Sequence, residues 1–376
     1  GTTNFSVCNP GALRPHGMMS VVPFNVMGSD LNVHDKDARW WSTPYVYENK
    51  YFTGFAHVTL SGVGCPEMGS LLLMPTTGKL DVDYHNYGSE YTDEHAVPGY
   101  YSNKLSKYGI RCEVTATERS SIERFTFPKG QAHLLLNVGD GLTNEVGGSI
   151  RRVSPTEIEG MRLLGTFCYT PQAVFPMYFV MRVSKAPREA GFWKKQPPMQ
   201  GVEAQWDPDN GKYKIYRNYT KEIAGNEVGY YFSYDAEEGE QIEVQIGVSF
   251  VSVANARENL DKEQQRTFSF DRVKAEAHAQ WAKTLSTVTV EGGTEAQKRV
   301  FYTALYHSQI HPSILQDVNG EYPEMENGKI GRTSGDRYTI YSLWDTYRNL
   351  HQLETLLYPT RQLDMVRSVT DRYKEW

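Results

Sequence analysis

The chain has 376 residues, which is more than one hydrophobic core usually serves, so its length favours two structural units. Its formal net charge is -6, from 39 Lys and Arg against 45 Asp and Glu, and no basic run extends far, which argues against a nucleic-acid partner. Apolar stretches such as residues 71–74 are far too short to cross a bilayer as a helix, so no membrane span is expected.

Up to about residue 255 the chain has the period of β-strands. The alternation of apolar and polar residues is clearest in QIEVQIGVSF at 241–250, where one face carries Ile242, Val244, Ile246, Val248 and Phe250. Further strand-like runs, separated by turn-forming residues, cover 111–117, 122–127, 133–138 and 174–183. Many short antiparallel strands of this kind predict a β-sandwich.

Two adjacent tryptophans, Trp40 and Trp41, lie in a polar stretch rich in Asp, Arg and His. Neighbouring strand positions point to opposite faces, so a single core would not bury both rings. Adjacent indoles outside a periodic run are typical of a stacking platform, and we expect one of the two to face a ligand.

From Phe270 the period becomes helical. Val273, Ala277, Trp281 and Leu285 recur every four residues and form one stripe. A second helix follows, with a capping box at Thr294 and Gln297 and an apolar face around Val300, Phe301, Ala304 and Leu305. After a loop at 312–337, two more helices are expected from about Leu343 and Thr360, the latter with Leu363, Val366 and Val369 facing inward.

The segment SLWDTYRNLHQL at 342–353 places Trp344, Asp345 and Arg348 at the start of an amphipathic helix. An indole can stack on the C–H faces of a sugar while a carboxylate and a guanidinium bind its hydroxyls, so the segment suits a neutral polyhydroxylated ligand. The alternative is structural: Asp345 begins the helix and Trp344 belongs to the core.

The predicted helices do not make a closed unit. Apolar stripes without partners cannot form a compact helical domain, because apolar surface left in water costs roughly 25 cal/mol per Å². We therefore expect the molecule to continue beyond Trp376. The carboxylates of the preceding loop, Asp317, Glu321, Glu324 and Asp336, are interpreted as turn and surface residues.

Long segments of the chain carry a resemblance to a known family. They are GFAHVTLSGVGCPEMGSLLLMP at 54–75, HAVPGYYSNKL and YGIRCEVTATERSSIERFTFP within 95–128, VSFVSVANARENL at 248–260, VEGGTEAQKRVFYTALYHSQIHPSILQDVNGEY at 290–322 and YSLWDTYRNLHQLETLLYP at 341–359. Together they resemble glycoside hydrolase family 92, which comprises exo-acting, calcium-dependent α-mannosidases that invert the anomeric configuration.

The resemblance implies a mainly β fold with α-helices, in which an antiparallel β-sandwich at 1–260 is joined by a helical linker at 261–290 to the first helices of an (α/α)6 barrel at 291–376. Hydrolysis with inversion needs an acid and a base roughly 6.5 to 9.5 Å apart. The family pattern places both, and the ligands of the Ca²⁺ cofactor, largely in the later barrel, so we expect the catalytic residues beyond Trp376.

The resemblance also implies substrate-binding positions. Asp345 is expected to bind hydroxyls of a terminal mannose beside Trp344 and Arg348. His16 replaces a family aromatic residue in a loop near the pocket, where it alters either hydrogen bonding or only packing. His57, Gly64 and Cys65 belong to a second segment that the resemblance places near the pocket, and the chain departs from the family pattern there.

Near His57 the family often has a second histidine, and this chain has Thr59 in its place. A lone histidine is more often structural than a ligand, so both interpretations of His57 stay open. Gly62 and Gly64 predict a tight turn before Cys65.

The expected partners are the remainder of the barrel and a mannose-containing oligosaccharide or glycan, which the complete protein is expected to cleave at α-1,2 linkages. An extracellular glycan suggests a secreted, periplasmic or cell-surface location. Two other classes compete: a carbohydrate-binding sandwich module without chemistry, and a sugar phosphorylase of the same architecture that uses phosphate in place of water.

Overall fold

The computed structural model describes residues 8–38, 41–62, 67–142, 147–165, 174–196, 212–326 and 328–375. The strands are β1 Ala12–Leu13, β2 Ser20–Phe24, β3 Tyr51–Phe52, β4 Gly54–Thr59, β5 Met68–Thr77, β6 Ser89–Val97, β7 Tyr100–Leu105, β8 Ile110–Ala116, β9 Ser120–Phe127, β10 Gly130–Asn137, β11 Gly148–Ser154, β12 Glu157–Leu164, β13 Phe175–Val183, β14 Glu189–Lys195, β15 Tyr213–Arg217, β16 Glu222–Gly225, β17 Val228–Ala236, β18 Glu240–Ser249, β19 Ser313–Ile314, β20 Glu321–Pro323, β21 Ile330–Arg332 and β22 Tyr338–Thr339. The helices are α1 Tyr84–Tyr87, α2 Val253–Gln264, α3 Phe270–Leu285, α4 Glu295–Ser308, α5 Leu343–Thr346, α6 Leu350–Leu357 and α7 Pro359–Glu375.

Two large antiparallel sheets make up the first part of the chain. Within the described ranges, one has the strand order β1-β2-β4-β5-β10-β17-β14-β15 and the other β16-β11-β12-β13-β18-β9-β8-β7-β6-β3. Residues of both sheets, such as Phe55 and Leu134 of the first and Phe125 and Ile246 of the second, share one core cluster. The predicted β-sandwich is confirmed, and helices follow its last long strand.

The alternation that predicted β18 is present, with one qualification. Ile242, Val244 and Ile246 are fully buried, as expected for the core face. Gln245 and Ser249, on the face predicted to be polar and open, are also buried. Helix α2 covers this face, and the Gln245 side-chain amide donates to the carbonyl oxygen of Thr267 at 2.8 Å.

Helix α2 begins at Val253, so the predicted sandwich boundary at residue 260 falls inside it. Ser252 caps the helix by accepting a hydrogen bond from the backbone N–H of Asn255 at 3.0 Å. The helix lies close to β18 because Gly247 has no side chain: a Cβ there would lie 2.6 Å from the Cβ of Leu260.

Helix α3 packs as the sequence predicted. Val273, Ala277 and Trp281 are buried, and Leu285 is half-buried. The Trp281 indole N–H donates to the carbonyl oxygen of Leu13 at 2.7 Å, which attaches the helix to β1. The predicted capping box of α4, formed by Thr294 and Gln297, is also present. None of the described helices is both long and apolar enough to span a membrane.

The predicted orientation of α7 is wrong for this chain. Leu363, Val366 and Val369 are 48%, 50% and 39% exposed, whereas the buried positions are Gln362, Met365 and Ser368. Hydrogen bonding decides the orientation, because the Ser368 hydroxyl accepts from the backbone N–H of Tyr338 at 2.8 Å. Periodicity locates an apolar stripe but does not say which segment covers it.

Asp317, predicted as a turn or surface residue, is instead a buried junction and is only 1% exposed. Its carboxylate accepts from Ser249 Oγ at 2.7 Å, from Asn255 Nδ2 at 2.8 Å and from Asn259 Nδ2 at 2.6 Å. Burial raises the pKa of Asp317, and these three hydrogen bonds oppose that shift. The end of β18, helix α2 and the loop before β20 therefore meet at one side chain.

His57 of β4 lies wholly inside the sandwich. Its Nδ1 is 2.6 Å from the carbonyl oxygen of Leu71, and its Nε2 is 2.6 Å from Oε1 of Glu123 on β9. The carbonyl oxygen can only accept, so Nδ1 donates to it, and one proton links Nε2 to the carboxylate. Both side chains are fully buried, so the pair is a polar bridge between the two sheets.

We expect Glu123→Ala to destabilise the fold strongly, because it leaves the imidazole of His57 buried without its partner. Breaking a buried pair in this way costs roughly 3 to 5 kcal/mol. The free energy of unfolding from urea titration is the measurement, and Glu123→Gln, which keeps the shape and one acceptor, should lose less.

Glu237→Ala is the matched control, because this glutamate is 78% exposed and pairs with Lys129 at the surface. Its unfolding midpoint should equal that of the wild type. An unchanged midpoint for Glu123→Ala would show that the bridge contributes nothing to stability.

Candidate functional site

One end of the sandwich is joined to the helical part through the loop that contains His16. The backbone N–H of His16 donates to the carbonyl oxygen of Gln309 at 2.8 Å, and the His16 carbonyl accepts from the N–H of Ile314 at 2.9 Å. Residues 309–314 follow helix α4 and run into β19, which pairs with β22. A loop of the sandwich and the start of the helical part are thus fixed side by side.

His16 is held as a neutral imidazole. It is 1% exposed, and its Nδ1 donates to the carbonyl oxygen of Pro312 at 2.7 Å. Burial, assisted by the nearby Arg361 charge, lowers the pKa of His16 to about 3. Its Nε2, an acceptor in this tautomer, is buried and has no hydrogen-bond partner within the described structure. The lone pair on Nε2 is enclosed by the surrounding residues, and the adjacent Gln309 side chain interacts with the ring.

Gln309 connects two charged side chains beneath this loop. It is fully buried, its Oε1 accepts from Nη1 of Arg361 at 2.6 Å, and its Nε2 donates to Oε1 of Glu354. Burial raises the pKa of Glu354, against the effects of the Gln309 hydrogen bond and the Arg361 charge. Oε2 of Glu354 is buried and has no partner among the described residues. His16, Gln309, Glu354 and Arg361 are called the junction cluster below.

The three residues predicted from SLWDTYRNLHQL lie on an open surface, with Trp344 and Asp345 on the four-residue helix α5 and Arg348 in the turn before α6 rather than on one continuous helix. Trp344 is 79% exposed, and Asp345 and Arg348 are also exposed. The Ser342 hydroxyl donates to Asp345, and the Arg348 guanidinium lies 5.6 Å from the centroid of the Tyr347 ring. An indole, a carboxylate and a guanidinium are therefore available together. The alternative interpretation of this segment placed Trp344 in the core, and its exposure disagrees with that placement.

Hydrogen bonds connect the exposed helix α5 to α6, and α6 to α7. The Thr346 hydroxyl and Nε2 of His351 are 2.9 Å apart, and Nδ1 of His351 lies 3.3 Å from Oε1 of Gln362. His351 belongs to α6, the helix that also carries Glu354. Helices α5, α6 and α7 are thus held together next to the His16 loop.

The remaining predicted site residues lie elsewhere or are not described. Trp41 stacks on His34, with ring centroids 4.1 Å apart, and packs against the cluster that contains Phe24. Trp40, Gly64 and Cys65 lie outside the described residues. His57, with both ring nitrogens engaged inside the core, has the surroundings of a structural residue, so we leave it out of the candidate site.

The sequence interpretation missed Gln309, Glu354 and Arg361. A signal for Glu354 does exist in α6, because Leu350, Glu354 and Leu357 share one helical face. Glu354 is the residue that α6 buries, while Leu356 is 78% exposed. A carboxylate on a leucine face is unusual and indicates a specific partner.

The site offers hydrogen-bonding chemistry. It combines a neutral acceptor at His16, a charge-compensated pair at Glu354 and Arg361, and the exposed polar and aromatic groups of α5. Among the residues that the structure describes, no group of three or more His, Cys, Asp or Glu side chains could hold a metal ion. The described residues therefore assign no calcium ligand.

Both parts of the chain match domains of one family. Residues 1–249 match the glycosyl hydrolase family 92 N-terminal domain, and residues 255–376 match the glycosyl hydrolase family 92 catalytic domain. The change of domain lies between β18 and α2, where the strands give way to helices.

Solved structures similar to this chain include those of an α-mannosidase. A family GH92 α-mannosidase from Bacteroides thetaiotaomicron has a TM-score of 0.86 and 27% identity, with 100% of this chain and 48% of that chain covered. Its complex with mannoimidazole gives the same TM-score of 0.86 and 27% identity and covers 100% of this chain and 47% of the other.

A curated relative, an uncharacterized secreted glycosidase of Arthroderma benhamiae, is 25% identical in an alignment 382 residues long that covers 93% of this chain and 44% of the relative. The chain therefore spans less than half the length of these relatives.

The low pKa of His16 predicts a pH dependence of stability. In the unfolded chain this histidine gains a proton below about 6.5, whereas the folded protein keeps it neutral down to about pH 3. The unfolded state therefore binds more protons between these values, and stability falls as the pH drops through them. Between pH 7 and 5 the wild type should lose roughly 2 kcal/mol more than His16→Gln.

Urea titrations at pH 7, 6 and 5 measure this difference. His278→Gln is the matched control, because His278 is an exposed residue of α3, and its pH slope should equal that of the wild type. Parallel slopes for the wild type and His16→Gln would mean that His16 is not held neutral.

Proposed function

The chain belongs to glycosyl hydrolase family 92, and from this premise we propose that the complete protein is an exo-acting α-mannosidase. It would hydrolyse terminal α-mannosyl residues of glycans with inversion, with α-1,2 linkages as the expected target. The similarity to an α-mannosidase that has been crystallised with mannoimidazole supports a mannose-containing substrate.

The exposed polar and aromatic groups of helix α5 carry the proposal at the level of residues. Asp345 would accept hydrogen bonds from hydroxyls of the terminal mannose, with the Trp344 ring and Arg348 beside it. His16 would border this site, because its backbone fixes the sandwich loop against residues 309–314. A hydroxyl placed wrongly would leave a group such as Asp345 unpaired, at a cost of about 1 to 3 kcal/mol, which favours one epimer over another.

The acid and the base are expected beyond Trp376, as the family resemblance implies. Glu354, the buried carboxylate of the junction cluster, is engaged by Gln309 and is close to the Arg361 charge, which suits a positioning role better than proton transfer. We therefore assign no catalytic pair within this chain.

The remainder of an (α/α)6 barrel is the proposed partner of the helices. Val300 of α4 is 70% exposed, and Leu363 and Val366 of α7 are 48% and 50% exposed. Such stripes expose apolar surface that another set of helices could cover. The relatives, which are about twice as long as this chain, contain further sequence that could do so.

Calcium and location form the last part of the proposal. Calcium dependence rests on the family resemblance, and when bound the ion would supply Lewis-acid contacts to sugar hydroxyls. A secreted, periplasmic or cell-surface location fits a glycan substrate, and the fungal relative is described as secreted.

Asp345→Asn should lower kcat/KM of the complete protein on p-nitrophenyl α-mannoside by about 10- to 150-fold. The reason is the loss of charge-assisted hydrogen bonds, each contributing about 1.5 to 3 kcal/mol, with every 1.4 kcal/mol equal to a factor of ten. Steady-state kinetics, together with circular dichroism to verify folding, provide the measurement.

Glu295→Gln is the control, because Glu295 is 88% exposed on α4, and its kinetics should equal those of the wild type. Full activity of Asp345→Asn would remove Asp345 from the site. Turnover that requires added phosphate would identify a phosphorylase, and binding of mannose without any turnover would identify a binding module.

Removal of calcium should abolish the activity of the complete protein. Dialysis against EDTA is expected to stop hydrolysis of p-nitrophenyl α-mannoside, and added Ca²⁺ should restore it, whereas added Na⁺ at the same ionic strength should not. Unchanged turnover in excess EDTA would exclude a catalytic role for the ion.

A further inference from the structure

A second concave site lies at the end of the sandwich that faces away from the helices. It is a cavity of about 410 Å³ bounded by the end of β5, the start of β10, the start of β14 and the end of β15. The opposite end of this sheet contacts the helical part, where the backbone N–H of Ser61, just after β4, donates to Nε2 of His311 at 3.1 Å. We propose that the distal cavity binds the phosphate or sulfate group of an anionic saccharide.

The floor of the cavity is built into the sheet. His133, Ser233 and Glu189 lie opposite one another on β10, β17 and β14 and share one face. Nε2 of His133 donates to the carbonyl oxygen of Gly78 at 2.8 Å, and Nδ1 accepts from the Ser233 hydroxyl at 2.7 Å. His133 and Ser233 are 3% and 2% exposed. The side chains that form the floor are therefore buried and held in place by hydrogen bonds.

Positive charge exceeds negative charge around this floor. Three cations, Lys79, Arg188 and Arg217, line the cavity, against a single lining carboxylate, Glu189. Burial raises the pKa of Glu189, but hydrogen bonds from Tyr231 and Arg217 more than offset this, so the pKa lies below its usual value and the carboxylate is ionised. Asp235, which pairs with Arg188, adds a second carboxylate at the rim, so with His133 neutral three cations face two carboxylates.

The two arginines keep donors for a ligand. Arg217 donates from Nη1 to Oε1 of Glu189 at 2.8 Å, and Nη1 of Arg188 lies 3.1 Å from Oδ1 of Asp235. Each of these pairs uses one terminal nitrogen, whereas a guanidinium has five N–H groups in a planar fork. Such forks bind phosphate, sulfate and carboxylate oxygens in pairs, and the existing pairs hold them in place.

The lining favours an oxyanion over a neutral sugar. None of the described lining residues presents a Trp, Tyr or Phe ring on which a sugar face could stack. The contacts offered to a ligand are cationic and polar, from Arg188, Arg217 and the Gln131 side chain. That the oxyanion is carried by a saccharide rests on the proposed function, whereas the oxyanion site itself depends only on these residues.

Isothermal titration of the complete protein with inorganic phosphate, mannose 6-phosphate and mannose tests the site. Arg188→Gln combined with Arg217→Gln should weaken the binding of phosphate and of mannose 6-phosphate at least tenfold and leave mannose binding unchanged. Raising the salt concentration should weaken both anions, because the contacts are ionic. Mannose 6-phosphate should bind more tightly than phosphate.

Lys283→Gln combined with Lys374→Gln is the control, since it removes two charges from exposed lysines of α3 and α7 and should not change anion affinity. Equal phosphate affinity in the wild type and the arginine variant, or no phosphate binding at all, overturns the site. Equal affinities for phosphate and mannose 6-phosphate overturn the saccharide part. Hydrolysis of p-nitrophenyl α-mannoside by the wild type reports separately on the proposed function.

Discussion

The relative placement of sandwich and helices depends on one buried carboxylate, that of Asp317. A charge taken out of water is costly unless hydrogen bonds replace its hydration, and Ser249, Asn255 and Asn259 supply them. These donors come from the end of β18 and from α2, while Asp317 belongs to the loop after α4. The carboxylate is satisfied only when all three segments are in place, so it fixes the position of the segment that meets the His16 loop.

Local patterns predicted the elements well but not the contacts between them. Alternation in β18 and the four-residue stripe of α3 depend on neighbours in sequence, which is why both were found. The hydrogen bonds of Asp317 to Asn259 and Ser249 join residues 58 and 68 positions apart. The bridge from His57 to Glu123 joins residues 66 positions apart. Such pairings produce no periodic pattern in the sequence. A single polar residue in a turn cannot be distinguished by sequence from one that is buried and hydrogen-bonded.

The candidate site divides in the same way. The SLWDTYRNLHQL segment was recognisable because its indole, carboxylate and guanidinium are close in sequence, and the structure exposes them on α5 and the turn that follows it. The junction cluster was not, because Gln309 reaches Glu354 across 45 residues and Arg361 across 52. Only Glu354, placed on a leucine face, gave a local hint. Residues concentrated in one segment can thus be proposed as a site from the sequence, whereas a cluster assembled by the fold cannot.

The two ends of the sandwich differ in how charge is handled, and this difference sets what each can bind. At the helical end, Gln309 lies between Glu354 and Arg361, so their charges compensate, and His16 stays neutral beside them. A hydroxyl-rich neutral ligand would gain hydrogen bonds there without disturbing that balance, whereas an oxyanion would approach the Glu354 carboxylate. At the distal end, cations outnumber the carboxylates, so the preference is reversed. A ligand with both a neutral terminal sugar and an anionic group would therefore place each at a different end of the same sandwich.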